Sequence, residues 1–527
     1  MTELLSCLID RAAITHPQKH AFVRDGLGIS YSELAKQSSQ LANVLMEFDV
    51  KPGDRVGVFV GREIESAIAI YGILKAGGIY VPLDPNASAT VNTNIICDCN
   101  LRVVVTHDSQ AKRLSQLLCT TNQIECVIGT MPARDHSVTS ISWQDVADHS
   151  NLNCPSVTIS ESAPAYILYT SGTTGQPKGI VHTHHSGLSY ARLTVEEYEL
   201  SPSDRIACHP PLHFDMSTFG FLAGPMACAT TVIVSEADTK FPASISALIQ
   251  DERISIWYSV PIVLSQLLSH GVLQDRSADS LRWVVHAGEP LSPADMQNLR
   301  SIWPHVSFSN AYGPTETNVC TVFNTPALNS VRESSHKSYG HSIPIGKPWG
   351  TVQAIVLAND MALASPGQQG ELLIHSPTVM TGYWQRPALN SQVFVKRPGS
   401  ETTFYRTGDL VREDEEGNLN FEGRVDRQVK IRGFRIELEG IEVVINAHPE
   451  IEESCAIVES INEHVEALTA YVVTRPGSGL DQHELLQYLE TKLPTYSVPN
   501  RIQFTEQFSR TSTGKLDRTL LAHSLNQ

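Results

Sequence analysis

The chain has 527 residues, of which 41% are hydrophobic and 18% charged, and a net charge of −17. This length exceeds one ordinary core and predicts two or more domains, while the composition excludes a disordered chain. So acidic a chain does not bind nucleic acid or an anionic membrane by bulk electrostatics, and any polyphosphate site must gather its positive charge locally.

In chain order, Ser32 to Glu47 reads as an amphipathic helix with Leu34, Leu41, Val44 and Leu45 on one face. Arg55 to Val60 reads as a buried strand, and Ile64 to Lys75 as a helix that Gly77-Gly78 stops. Val103 to Val105 and Ala165 to Leu168 read as further strands, and His182, His184 and His185 as a polar loop after a strand. This alternation predicts mostly parallel α/β layers. Gly417-Asn418-Leu419 reads as a turn between two short strands. Near residue 424 the chain changes character: a charged, glycine-containing stretch leads into its own βα pattern. There Glu439 to Ala447 and His483 to Leu493 read as helices, and Leu468 to Val473 as a strand. The expected fold is therefore α/β, with a large N-terminal domain over 1–424, a hinge at 425–427 and a small α+β domain over 428–527.

No run of about 18 apolar residues is present. Met1-Thr2-Glu3-Leu4-Leu5 has no basic segment ahead of an apolar one. Ten cysteines are spread thinly, as in a reducing compartment, so a cytoplasmic protein is expected. Nothing near Cys97 and Cys99 completes a zinc quartet.

The densest chemical signal is Tyr169-Thr170-Ser171-Gly172-Thr173-Thr174-Gly175-Gln176-Pro177-Lys178-Gly179. Its glycines allow close backbone approach, and its hydroxyls and Lys178 supply what polyphosphate oxygens need. The lysine position departs from G-x-x-x-x-G-K-[ST], so this is not the P-loop of nucleotide triphosphatases. Further on, Glu316 follows a Gly-Pro turn and suits either a Mg²⁺ site or a helix cap. Tyr312 can stack on an adenine or pack a core, beside the amide of Asn310. Asp409 offers two acceptors to a ribose, though Thr-Gly-Asp also makes turns, and Arg424 can add a charge-assisted bond.

Thr170 to Gly179 resembles the phosphate loop of the adenylate-forming superfamily, which includes acyl-CoA synthetases, luciferases and the adenylation domains of nonribosomal peptide synthesis. Other motifs follow in that family's order. Asn310-Ala311-Tyr312-Gly313-Pro314-Thr315-Glu316 resembles its adenine motif, Tyr405-Arg406-Thr407-Gly408-Asp409 its ribose motif and Gly423 to Gly433 its hinge. Leu493 to Pro499 and Thr513-Gly514-Lys515-Leu516-Asp517-Arg518 resemble the last two. The resemblance implies ATP with Mg²⁺ held by Glu316. Phosphates would lie on Thr170, Ser171, Gly172, Thr173, Thr174, Gly175 and Lys178. Adenosine would lie on Asn310, Ala311, Tyr312, Gly288, Glu289, Tyr405, Asp409 and Arg424. It further implies a small domain that turns about Asp426, and Lys515 as the catalytic cation where a carboxylate attacks the α-phosphate.

His213-Phe214-Asp215-Met216-Ser217-Thr218-Phe219 resembles the motif of amino-acid-activating members. A carboxylate in an apolar stretch needs a partner, which an α-ammonium supplies; a helix N-cap is the structural alternative. Carried over from the family, the pocket falls on Asp215, Met216, Phe219, Tyr258, Val285, Ala287, Ala311, Val319 and Cys320. This set resembles that of stand-alone prolyl adenylases, which load proline onto the phosphopantetheine of a separate carrier protein in pyrrole- or anatoxin-type pathways. Asp279-Ser280-Leu281 matches a carrier motif by letters but precedes the strand at Trp283 without a Gly-Gly, and reads as a turn. A carrier protein is thus expected in trans. Alternatives are a coenzyme A ligase for a small acid, a D-alanyl carrier-protein ligase and a non-catalytic nucleotide-binding scaffold.

Overall fold

The computed structural model describes residues 3–131, 138–151, 153–154, 157–170, 172, 177–330, 342–358, 362–397, 401–462, 465–510 and 516. Two large sheets dominate them. One has nine strands in the order Lys347–Pro348, Thr321–Thr325, Ser307–Tyr312, Trp283–Ala287, Ile256–Ser259, Arg205–Cys208, Thr230–Ile233, His20–Arg24, Leu27–Ser30. Its pairings are parallel from Ser307–Tyr312 to His20–Arg24 and antiparallel at both margins. The other has eight strands, from Gly382–Tyr383 through Lys178–Thr183, Pro164–Thr170, Ile79–Pro82, Arg55–Phe59, Val103–Thr106 and Cys126–Gly129 to Thr139–Ser142. Val103–Thr106 is buried at every position, as expected of a strand covered on both faces.

Helices begin where the sequence supplies caps. Tyr31–Glu47 opens with a capping box: Ser30 accepts the Glu33 N–H at 3.2 Å, and Glu33 accepts the Ser30 N–H at 2.9 Å. His184–Glu197 opens with another, between Thr183 and Ser186.

This last helix corrects one expectation. The three histidines do not form a polar loop: His182 lies in the strand Lys178–Thr183, and His184 starts the helix. Both are fully buried, and His185 is exposed. The Thr183 cap turns the chain directly from strand to helix, so no loop intervenes. The expected parallel layers are the two large sheets, and a further sheet adds to them. A third sheet joins Gln353–Leu357, Gln369–His375, Thr403–Glu413, Phe394–Lys396 and Leu419–Arg424 and is antiparallel throughout. One of its hairpins closes at Gly417, at φ +78°, and the helix Pro387–Val393 precedes its strand Phe394–Lys396.

The chain divides into two compact units, 1–85 with 99–169 and 179–425, and 86–98 with 170–178 and 426–527. In the second, Gln428–Ile431 pairs with Phe434–Glu437, and Val465–Thr474 lies between Ile451–Asn462 and Arg501–Phe504 and pairs with both. The helices Leu438–Asn446 and Gln482–Lys492 supply Ile441, Ile445, Leu485 and Leu489 to that unit's core. Among the described residues no helix is long and apolar enough to cross a membrane.

Candidate active site

Three neighbouring parallel strands place residues of the expected pocket side by side. Tyr258 is the register partner of Val285, and Ala287 of Ala311. Val285 and Ala287, two apart, share one face of their strand. Such carboxyl ends of parallel strands are where open α/β sheets take ligands. Phe219 opens a π-helical turn, Phe219–Ala223, and its ring lies 5.3 Å from that of Tyr258 and 5.6 Å from that of Tyr198. Met216, Val319 and Cys320 are also buried.

Asp215 is half-buried. Its Oδ1 accepts the Met216 N–H at 2.8 Å, and its carbonyl accepts the Thr218 N–H at 2.9 Å. The residue flanking the π-turn is Thr218, so Asp215 is not its N-cap. Burial pushes the Tyr166, Tyr190 and Tyr258 phenols up, and the Asp215 carboxylate adds to this in all three. The aspartate thus projects its field into an aromatic surround.

Glu316 is fully buried. The turn before it is tight: a Cβ on Gly313 would lie 1.6 Å from the Asn318 carbonyl oxygen, so only glycine fits. The Tyr383 hydroxyl donates to Glu316 Oε1 at 2.7 Å and lies 3.4 Å from the Tyr405 hydroxyl. His182 Nε2 lies 2.9 Å from the Thr315 carbonyl oxygen. Burial lowers the His182 pKa to about 4, so the ring is neutral at pH 7 and the carbonyl partner assigns its proton to Nε2.

Asp409 is buried and receives both the Tyr312 hydroxyl and the Arg424 guanidinium, its cross-strand neighbour. Burial first, and then the Asp409 charge, hold the Tyr312 phenol well above its usual range. Asn310 donates its amide to the Pro344 carbonyl at 2.8 Å, which orients the side chain. Gly288, at φ +98°, and Glu289 follow the strand that ends at Ala287.

Of the expected phosphate loop, Thr170, Gly172 and Lys178 are described, whereas Ser171, Thr173, Thr174 and Gly175 lie outside the described residues, as does Lys515. Lys178 starts its strand with Nζ 3.5 Å from Glu437 Oε1. The Thr170 hydroxyl is buried without a hydrogen-bond partner among the described residues. Asp426 accepts the Gln428 N–H at 3.2 Å. Two residues that no motif singled out touch the Glu316 loop, Tyr383 and His182. The sequence offered His182 only as one of three crowded histidines read as a polar loop, and Tyr383 carried no signal 67 residues downstream of Glu316.

Residues 9–384 match the AMP-binding enzyme family, and residues 440–515 the AMP-binding enzyme C-terminal domain. The chain belongs to this family and is an adenylate-forming ligase. It is 31% identical over 517 residues to an L-proline--[L-prolyl-carrier protein] ligase of Pseudomonas fluorescens, covering 97% of both chains. It is also 31% identical to the dimodular nonribosomal peptide synthase of Bacillus subtilis, covering 98% of this chain and 21% of that protein. Among solved structures, the amide bond synthetase McbA of Marinactinospora thermotolerans shares the fold, with a TM-score of 0.86, 23% identity and 99% of both chains covered.

Proposed function

We propose that this enzyme uses ATP to convert a small apolar amino acid, L-proline best of all, into its aminoacyl adenylate with release of pyrophosphate. It then passes the aminoacyl group to the phosphopantetheine thiol of a separate carrier protein. The observation that carries the reading is Asp215, a half-buried carboxylate whose charge acts on the Tyr166, Tyr190 and Tyr258 phenols. A carboxylate there recognises the substrate ammonium, and Phe219 and Tyr258 leave a narrow apolar space for a compact side chain. The full-length similarity to a prolyl-carrier ligase supports the same substrate.

The nucleotide side is assigned by chemistry. Tyr312 offers its ring to adenine and Asn310 its amide; Asp409, held by Arg424 and Tyr312, accepts from ribose hydroxyls. The orphaned Thr170 hydroxyl suits a phosphate oxygen, and Lys178 adds a cation. Glu316 offers the hard carboxylate oxygen that Mg²⁺ takes, and bound Mg²⁺ supplies charge neutralisation on the phosphates. Lys515 stabilises the charge that grows at the α-phosphate during carboxylate attack. The domains divide at 1–424, 425–427 and 428–527, with Asp426 as the pivot.

The test is ATP–pyrophosphate exchange across the common L-amino acids, D-alanine and small fatty acids. Exchange driven by L-proline alone supports the adenylation chemistry and the pocket reading. Exchange driven by another amino acid replaces the substrate, and exchange driven by a fatty acid removes the role of Asp215.

A further inference from the structure

Tyr383 and His182 hang from one platform. The strand Gly382–Tyr383 pairs antiparallel with the strand that begins at Lys178, with Tyr383 opposite Ile180 and Gly382 opposite Val181. The pairing is extended by Thr381 N–H to the Val181 carbonyl at 2.9 Å and Trp384 N–H to the Gly179 carbonyl at 2.7 Å. The Tyr383 ring is buried with Ile180, Met380 and Tyr405, so its hydroxyl has a set position. That hydroxyl lies on the carboxylate of Glu316 at 2.7 Å.

The same loop is held at its backbone. The neutral His182 ring donates to the Thr315 carbonyl, and Met380 N–H reaches the Glu316 carbonyl at 2.8 Å. The His182 ring is itself fixed by stacking on Tyr166, with centroids 4.9 Å apart, and Tyr166 stacks on Tyr80 at 5.2 Å. A fully buried carboxylate can turn about its χ angles unless donors pin it. Here one oxygen is pinned by a phenol whose own ring cannot move.

We propose that Tyr383 is the positioning residue that aims the Glu316 carboxylate at the divalent cation, and that His182 holds the same loop in place through the Thr315 carbonyl. This rests on the reading of Glu316 as the metal-holding acid. Tyr383 touches neither substrate nor cation in this assignment and acts through Glu316 alone. The strand Lys178–Thr183 therefore bears one of these two side chains, His182, and pairs with the strand that bears the other.

The test uses the full chain with Mn²⁺ as probe and α,β-methylene-ATP as a non-reacting nucleotide, with bound Mn²⁺ read by electron paramagnetic resonance. Tyr383→Phe deletes one oxygen and is expected to weaken Mn²⁺ binding about tenfold, the usual effect of losing an outer-sphere partner. The amino-acid KM in exchange is expected to stay unchanged. In a Glu316→Gln background, Tyr383→Phe is expected to have no further effect on Mn²⁺. His182→Gln, which keeps a donor near Nε2, is expected to retain the affinity that His182→Ala loses. Wild-type Mn²⁺ affinity in Tyr383→Phe, with weakened affinity in Glu316→Gln, overturns the positioning role and leaves the metal assignment standing. Wild-type affinity in Glu316→Gln overturns both. A lower melting temperature in Tyr383→Phe with unchanged Mn²⁺ affinity below it also overturns the proposal, because the hydroxyl is then only structural.

Discussion

On the side assigned to the nucleotide, Glu316 and Asp409 are buried, and each carboxylate is met by side-chain donors: Tyr383 on the first, Tyr312 and Arg424 on the second. On the side assigned to the amino acid, Asp215 is half-buried, takes the N–H of its neighbour Met216 and faces aromatic rings. The contrast separates two tasks. A carboxylate pinned by phenols and a guanidinium offers the same geometry to every substrate. A half-buried one in an apolar surround contributes most when a matching cation arrives, and the shape around it decides which cation that is.

The largest expected effect lies on neither wall. Lys515→Ala is expected to lower the adenylation rate by about 10²–10³ while leaving the circular dichroism spectrum intact, as for loss of one transition-state donor. A smaller loss places the growing charge on another cation, with Lys178 the first to examine. Next comes Asp215→Asn, which keeps shape and removes charge. Because Asp215 is only half-buried, the cost is expected at the low end for a paired charge, about 2 kcal/mol or roughly 30-fold in amino-acid KM, with ATP KM unchanged. An equal rise in ATP KM breaks the division into two sides.

Phe219→Leu sharpens the shape argument. It keeps most of the apolar volume while opening the ring contact with Tyr258. A stability cost near 1 kcal/mol is expected, read as a small shift in melting temperature, with a KM for larger apolar amino acids that falls relative to proline. Unchanged relative KM values would place the selective wall elsewhere.

The last effect is on stability and spreads over both sides. Burial lowers His182 and His184 to about 4, and His209 and His286 to about 3. In the unfolded chain these rings take protons near pH 6.5, so between that value and the folded pKa values the unfolded state binds more protons. Stability is therefore full above about pH 6.5 and falls as pH is lowered towards 4. Melting temperature measured across this range checks it, and substituting His286, whose two ring nitrogens are buried without hydrogen-bond partners among the described residues, should flatten the slope.

Several elements were legible because their signals are local. The apolar face of Tyr31–Glu47 and the all-valine start of Val103–Thr106 act within a turn or a strand. Of the antiparallel third sheet only the turn at Gly417 was legible, since its other short strands carry nothing that states their partners. The three histidines were misread for the same reason: polarity suggested solvent, and stacking of His182 on Tyr166 placed it in the interior.

By itself the sequence determined the family, through motifs whose order survives any rearrangement of the chain, and with it the chemistry of ATP and a carboxylic acid. Tertiary structure alone decided which groups meet. Tyr383 reaches Glu316 across 67 residues, and Arg424 reaches Asp409 across a hairpin. A lone phenol or guanidinium in a sequence has no address, because its partner is chosen by strand register and by the cost of leaving a buried carboxylate without a donor.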